Sequence, residues 1–405
     1  MYTEQEVLEY VRQEDVKFIR LAFCDVFGTQ KNISIMPGEL TRAFESGISF
    51  DASAVRGFGA EDKSDLFLVP DPSTLSLLPW RPSQGRVVRL FCGIRRPDGT
   101  PLEADCRQFL KDAVRSVREA GYTCRIGAEF EFYLLKTDEA GRPTRIPFDQ
   151  AGYMDVAPED AGENMRREIC LTLEEMGILP ESSHHEEGPG QNEIDFKHSD
   201  PLTAADNAVT FKSVVQNTAS RNGLYASFSP KPLDGQSGSG LHINLSLKSA
   251  DGTDGSSAFM AGILAHIAEI TAFLNPTRQS YQRLGSCKAP KYIAWSPENR
   301  SPLIRIPAVR DSAYARMEVR SPDPEANPYL AYALLLLSGL DGIRCGMKPP
   351  PPVDFNLYQA PASALQTLPV LPGSLEDAVY KMTESEFVRR NLPRCITEAY
   401  RHLIQ

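Results

Sequence analysis

The feature that most constrains this chain is the run Gly127-Ala128-Glu129-Phe130-Glu131-Phe132-Tyr133, in which acidic and aromatic side chains alternate. A period of two is that of a β-strand, so Glu129 and Glu131 share one face while Phe130 and Phe132 share the other. The aromatic face demands a packed layer behind it. The two carboxylates repel each other, and burial adds a desolvation cost. A solvated outer face would carry them cheaply, so this strand alone leaves open whether they bind anything.

The same arrangement recurs along the chain. His184-His185-Glu186 is followed, across a Gly188-Pro189-Gly190 turn, by Gln191-Asn192-Glu193-Ile194-Asp195. In the run from Gly240 to Ser246, His242, Asn244 and Ser246 fall on one face, and Leu241, Ile243 and Leu245 on the other. Arg316, Glu318 and Arg320 likewise share a face. Four strand-like segments thus each present carboxylate or imidazole on one side, the donor set of a hard divalent cation. Arg283, Arg300, Arg305, Arg316 and Arg320 crowd into a short span. Guanidinium forks match carboxylates and phosphates bidentately. Acidic ligands combined with several arginines suit phosphoryl transfer. There is no GxxxxGK[ST] and no kinase-like glycine loop, which excludes a P-loop enzyme.

A length of 405 residues predicts two domains, or a large one plus a small one. Residues 16–35 read as a hairpin, and strand-like runs follow at 65–69 and 86–92. The turn at Pro97-Asp98-Gly99 precedes a helix over 105–120, so the boundary falls near 100, giving domains 1–100 and 101–405. Beyond it we expect strand 124–135, helix 158–177, strand 191–197, helix 201–222, strands near 225–229 and 240–248, and helix 258–274. Strands at 291–295, 303–307 and 315–321 lead to helix 327–343. The fold class is α+β, a curved antiparallel sheet with helices behind it. Thr3 and Glu6 have capping-box spacing.

A hydrophobic fraction of 41% and a charged fraction of 24% are those of an ordinary soluble globular protein. The net charge of −10 argues against nucleic acid or an anionic membrane as partner. The start of the chain lacks a signal-peptide pattern. The most apolar stretch, Leu330–Leu340, is too short to span a bilayer. Eight cysteines placed singly read as reduced thiols of a cytoplasmic protein, not a zinc site or a disulfide framework.

From about residue 15 to about residue 380 the chain resembles a type I glutamine synthetase. The resemblance rests on Phe50-Asp51-Ala-Ser53, Gly-Ala-Glu129-Phe-Glu131, His-His-Glu186 through Gln-Asn-Glu193, and Phe-Ser-Pro-Lys231-Pro. It continues in Gly-Ser-Gly-Leu-His242, Ser-Tyr-Gln-Arg283-Leu, Tyr-Ile-Ala-Trp295-Ser, Asn299-Arg300-Ser, Arg-Met-Glu318-Val-Arg320 and Asn327-Pro-Tyr-Leu-Ala. It implies an N-terminal β-grasp domain and a C-terminal catalytic domain. It further implies an enzyme of nitrogen metabolism that uses ATP to join glutamate to ammonia through γ-glutamyl phosphate. By motif position, Glu131, Glu186 and Glu193 hold one Mg²⁺ or Mn²⁺, and Glu129, His242 and Glu318 a second. Arg305 and Arg316 grip the ATP phosphates, Arg300 the transferred phosphoryl group, and Arg283 and Arg320 the glutamate. Gly238 offers its backbone to that amino acid, and Asn244 and Ser246 lie near the nucleotide. Asp51 serves the amine site of a neighbouring subunit, which implies a homo-oligomeric ring.

Three departures qualify the resemblance. The family flap carries a glutamate where this chain has Lys288, in a segment one residue shorter. A second hydroxyl of the family's amine site is replaced by Ala54. Little beyond Ser385 resembles the family's C-terminal helical region, which favours a hexamer over a dodecamer. Ammonia remains the first expectation. The alternatives are a larger amine such as a polyamine, a silent ring-forming homologue, and a phosphotransferase that stops at the phosphorylated acid. Tyr358 occupies the place of a tyrosine nucleotidylated in some members, although an ordinary loop tyrosine accounts for it as well.

Overall fold

The computed structural model describes residues 2–59, 64–81, 84–311 and 314–404. Helix α1 (Glu4–Gln13) opens on the expected capping box: the Thr3 hydroxyl accepts from the Glu6 amide at 3.3 Å, and the Glu6 carboxylate accepts from the Thr3 amide at 2.7 Å. Strands β1 (Val16–Cys24) and β2 (Gln30–Ile35) form the expected hairpin. Helix α2 (Leu40–Ser46) and strands β3 (Ile48–Asp51), β4 (Asp65–Pro70), β5 (Ser76–Leu77) and β6 (Arg86–Arg95) follow. The strands make one sheet in the order β2-β1-β6-β4-β3, with β5 on β6 and with β1 and β6 parallel. Strand β3, which ends at Asp51, lies at its edge.

The rest of the chain begins with α3 (Cys106–Glu119) and the long strand β7 (Tyr122–Thr137), then β8 (Pro143–Pro147), α4 (Glu163–Glu175), β9 (Pro180–His185) and β10 (Gln191–Ser199). Next come α5 (Pro201–Arg221), β11 (Leu224–Ser227), β12 (Leu241–Ser249), α6 (Ser256–Leu274) and α7 (Arg278–Arg283). Strands β13 (Trp295–Pro297), β14 (Ile304–Ile306) and β15 (Met317–Val319) lead into α8 (Pro328–Arg344). Short helices follow, α9 (Ala362–Leu365), α10 (Leu375–Glu384), α11 (Glu386–Asn391) and α12 (Arg394–Arg401), and then a 3-10 turn at His402–Ile404.

The large sheet runs β13-β14-β15-β12-β7-β10-β9, with β8 and β11 also on β7. It is mixed where an antiparallel sheet was expected: β13 and β14 are parallel, because the chain loops back over residues 298–303 before β14 begins. The helix expected from 158 starts at Glu163, since Asp160 is used otherwise: it accepts from the Gly162 amide at 3.0 Å and pairs with Arg166. The strand expected at 291–295 forms over Trp295–Pro297.

One contiguous apolar core runs through both sheets. Phe130 and Phe132, the aromatic face of β7, pack against Phe211 of α5. Helix α6, not the Leu330–Leu340 stretch, is long and apolar enough to cross a membrane, yet 67% of its most apolar window is buried in the core. It crosses α8 very closely: a Cβ on Gly262 would lie 2.1 Å from the Ser338 carbonyl oxygen, and one on Gly342 2.2 Å from that of Ala258. All eight cysteines are free thiols.

Candidate active site

Strand register assembles the polar face. Glu193 lies opposite Glu131, and Asp195 opposite Glu129, across β10 and β7. On the other side of β7, His242 of β12 lies opposite Glu129 and Asn244 opposite Gly127. Glu318 of β15 then pairs with Asn244 and with Arg305 of β14. Like charges directly opposite on neighbouring strands destabilise a sheet. Two such carboxylate pairs side by side require compensating positive charge.

Glu129, His242 and Glu318 each bring a ligand atom within 4.8 Å of the others. His242 Nδ1 is 3.2 Å from Glu129 and 3.7 Å from Glu318. Glu318 is buried and held by the Arg305 guanidinium at 2.8 Å and by Arg320 Nε at 3.1 Å. Burial works against charge on Glu129, but the hydrogen bond and charge of His242, the hydrogen bond from Asn244 and the charge of Arg316 outweigh it and hold the pKa at about 2. Burial also opposes charge on His242, while Glu129 raises its pKa.

Glu186 and Glu193 gather with His184 within the same 4.8 Å limit. His184, to which the sequence assigned no ligand role, is thus a further donor beside these carboxylates. Glu131 faces the same cavity but is pinned by the Gly240 amide at 2.8 Å and Gln191 Nε2 at 3.1 Å. Burial and the charge of Glu131 push Glu186 up to about 7. Burial and then Glu129 raise Asp195 to about 6. Burial and the surrounding carboxylates raise Glu193 well above its ordinary value. Carboxylates pressed toward protonation by one another are what bound divalent cations relieve, so this donor set fits the metals the resemblance implies.

Two cavities meet at Glu129. The smaller, about 150 Å³, contains Glu131, Glu186, Glu193 and His242 together with Gly238, Arg283, Arg300, Arg320 and Lys288. Arg283 is buried and donates to the carbonyls of Ser321 at 2.8 Å and Arg320 at 3.2 Å. A Cβ on Gly238 would lie 2.4 Å from the Pro230 carbonyl oxygen, so only glycine fits. The larger cavity, about 350 Å³, is lined by Asn244, Ser246 and Arg316, and also by Tyr314 and Arg125, which the sequence did not single out. Asn244 links the two halves: it donates to Glu129 at 2.7 Å and accepts from Arg316 Nε at 3.0 Å. Arg305 lines neither cavity and donates instead to Glu318 and the Glu298 carbonyl.

Asp51 is not brought to this site in its own chain. It sits exposed at the end of edge strand β3, where its carboxylate accepts from the amide and hydroxyl of Ser53 at 2.9 and 2.6 Å. Lys288 forms an ion pair with Glu187, and its backbone carbonyl accepts from the Tyr358 hydroxyl at 2.5 Å. Tyr358 is therefore part of the flap's anchorage. Of the residues the sequence left out, Asp195 was within reach, since alternation puts it on the face of Glu193; Glu187 and Tyr314 lie in loops, where no period applies.

Family models described as "Glutamine synthetase, beta-Grasp domain" and "Glutamine synthetase, catalytic domain" match residues 15–97 and 103–404. The second match extends past Ser385, where sequence motifs had run out. The chain is 46% identical over 406 residues to a glutamine synthetase of Clostridium saccharobutylicum, covering 96% of this chain and 91% of that one. It is 43% identical over 413 residues to one of Methanosarcina mazei, covering 98% and 92%. A solved GmaS/ADP complex superposes with a TM-score of 0.88 at 28% identity, covering 98% of this chain and 94% of the other. Taken with the sheet, its acidic face and the arginines beside it, these matches show that the chain belongs to the glutamine synthetase family.

Proposed function

We propose that this protein is an ATP-dependent ligase that joins the γ-carboxylate of glutamate to ammonia. The observation that carries the reading is the gathering of Glu129, His242 and Glu318 where two cavities meet, with Arg305 and Arg320 bonded to Glu318. A γ-carboxylate oxygen attacks the terminal phosphorus of ATP and ADP leaves; ammonia then attacks the γ-carbonyl carbon and phosphate leaves. Most of the catalysis in such a transfer is positioning and neutralisation of charge.

In this reading Glu129, His242 and Glu318 hold one Mg²⁺ or Mn²⁺, and Glu131, Glu186 and Glu193 another, which supply neutralising charge at the phosphates. Arg305 and Arg316 hold the phosphates, and Arg300 meets the group in transfer. Arg283 and Arg320 bind the glutamate carboxylates, beside the bare backbone of Gly238. Asn244 and Ser246 border the nucleotide. Asp51 acts in the amine site of an adjoining subunit, so the enzyme works as a homo-oligomeric ring. We divide the chain near residue 100 and place it in the cytoplasm, a reducing compartment in keeping with its free thiols.

The test is ADP release in Mg²⁺ with glutamate and, in turn, ammonia, methylamine, putrescine and ethanolamine. Stimulation by ammonia is expected; no stimulation by any acceptor would end the ligase reading. Lys288 at the cavity supports a second reading, a larger amine, because a lysine at the flap repels ammonium where the family glutamate attracts it. Under that reading Lys288→Glu shifts preference toward ammonia, and an unchanged acceptor ranking would refute it.

A further inference from the structure

Strand β9 ends at His185, immediately before Glu186, and β10 carries Glu193. Alternation that puts these carboxylates on one face sends His185 and Asn192 to the other. In register, Phe132, Asn192 and His185 form one row across β7, β10 and β9, and all three are buried. The row thus turns from apolar to polar just where it passes beneath Glu186 and Glu193. Buried polar groups cost stability unless they are bonded, and both of these are. His185 Nδ1 lies 2.7 Å from the Glu186 carbonyl oxygen, and Nε2 lies 2.9 Å from the Asp149 carboxylate. Asn192 accepts from Arg166 at 2.6 Å and donates to the Gly190 carbonyl at 3.0 Å.

Asp149 is the hub of this cluster. Its carboxylate also accepts from the Gly190 amide at 2.9 Å and the Ala161 amide at 3.2 Å, so it holds the turn between β9 and β10 at both ends. The same segment grips β9 twice more: the Met154 amide donates to the His185 carbonyl at 3.0 Å, and the Tyr153 ring packs edge-on against His184. Asp149, Asp160 and His185 come close enough together to suggest a further cation, but Arg166 already neutralises Asp160 there. Neither Asp149 nor His185 lines either catalytic cavity, so contact with substrate does not account for them.

We propose that Asp149 and His185 are positioning residues for Glu186: the chain from Asp149 through the His185 ring to the Glu186 carbonyl fixes that backbone, and with it the spacing of Glu186 from Glu193. The inference rests on the metal-binding reading of these carboxylates given above and adds to it the device that holds them in place. Groups that orient a metal's ligands from behind account for about 10- to 100-fold in metal affinity.

The experiment is calorimetric titration of the full-length protein with Mn²⁺ alone, without substrates or turnover. Two classes of ion are expected in wild type, and Glu186→Gln identifies the class to which Glu186 belongs as the one it removes. Asp149→Asn and His185→Leu are expected to weaken that class by about 10- to 100-fold at unchanged stoichiometry, with the other class as in wild type. His185→Gln, whose amide can still donate to Asp149, keeps most of the affinity. Gly262→Ala, which strains the α6–α8 contact instead, changes neither class, and this separates positioning from mere loss of stability. Should His185→Leu not fold, the isosteric Asp149→Asn decides alone. If Asp149→Asn and His185→Leu bind both classes as wild type does, or weaken both alike, or if Gly262→Ala reproduces their effect, the positioning role is wrong. If wild type binds no Mn²⁺, the metal-dependent reading itself falls.

Discussion

At the scale of single residues, the site is a collection of charges that do not balance without cations. Glu186 is pushed up to about 7 from an ordinary 4.5, by burial first and by Glu131 second. A carboxyl whose pKa is higher in the folded than in the unfolded chain favours the fold while protonated, and that advantage is lost as pH rises through the folded value. The metal-free protein is therefore expected to lose stability between about pH 4.5 and about pH 7 on account of Glu186, with Glu193 adding in the same direction. Mg²⁺ should reverse the loss and release protons near neutral pH, since only the ionised carboxylates bind it. Thermal unfolding in chelator and in Mg²⁺ across this range, with proton release followed by an indicator dye, checks both. A melting temperature independent of Mg²⁺ at pH 7, with no protons released, would show that these carboxylates do not share cations. Glu318 differs: already bonded to Arg305 and Arg320, it is a buried charge with its compensation built in. Removing one partner of such a pair costs about 3–5 kcal/mol. Glu318→Gln is accordingly expected to lower stability as well as abolish turnover, by denaturant titration alongside the ADP assay.

At the scale of elements, the sheet depends on helices that leave it no freedom to shift. Helices α6 and α8 touch backbone to backbone at Gly262 and Gly342, and α8 follows Asn327, whose side chain caps it and reaches the Val26 carbonyl beside the N-terminal sheet at 2.9 Å. A methyl placed at Gly262 has to displace backbone rather than a flexible side chain. Overpacking of this kind costs about 1–3 kcal/mol. Gly262→Ala should show that loss in chemical denaturation, with any fall in activity following the loss of folded protein rather than a changed KM; a variant as stable as wild type would mean that the helices separate freely.

At the scale of the whole molecule, one residue proposed for the amine site stands outside the cavity of its own chain. Asp51 ends an edge strand and does not line the cavity of its own subunit. If it completes a neighbour's site, two dead variants should repair each other. A mixture of Asp51→Ala and Glu318→Gln subunits, unfolded or dissociated and reassembled together, then contains interfaces at which an intact cavity meets an intact Asp51. Random reassembly of equal amounts makes about a quarter of the interfaces competent. Recovered activity near that fraction is expected, with the mass of the assembly giving the ring number; no recovery in an assembly of the right mass would mean that Asp51 acts within its own chain or not at all.

Alternation determined much of this from the sequence alone. Side chains two apart on a strand must share a face, so the carboxylates at Glu129 and Glu131, the imidazole at His242 and the carboxylate at Glu318 were bound to the polar side of their strands wherever those strands went. Local chemistry likewise placed the Thr3 cap and the first hairpin. Which strands became neighbours was not local information. Pairing of β12 with both β7 and β15 is what sets His242 against Glu129 and Asn244 against Glu318, and it joins segments more than 70 residues apart. The same holds for His184, which meets Glu193 only because β9 pairs with β10, and for Tyr314 and the Lys288–Glu187 contact, whose loops have no period to read. Periodicity is a property of neighbouring bonds and survives in the bare sequence; register and loop placement minimise energy over the whole packed chain, and only the folded molecule contains them.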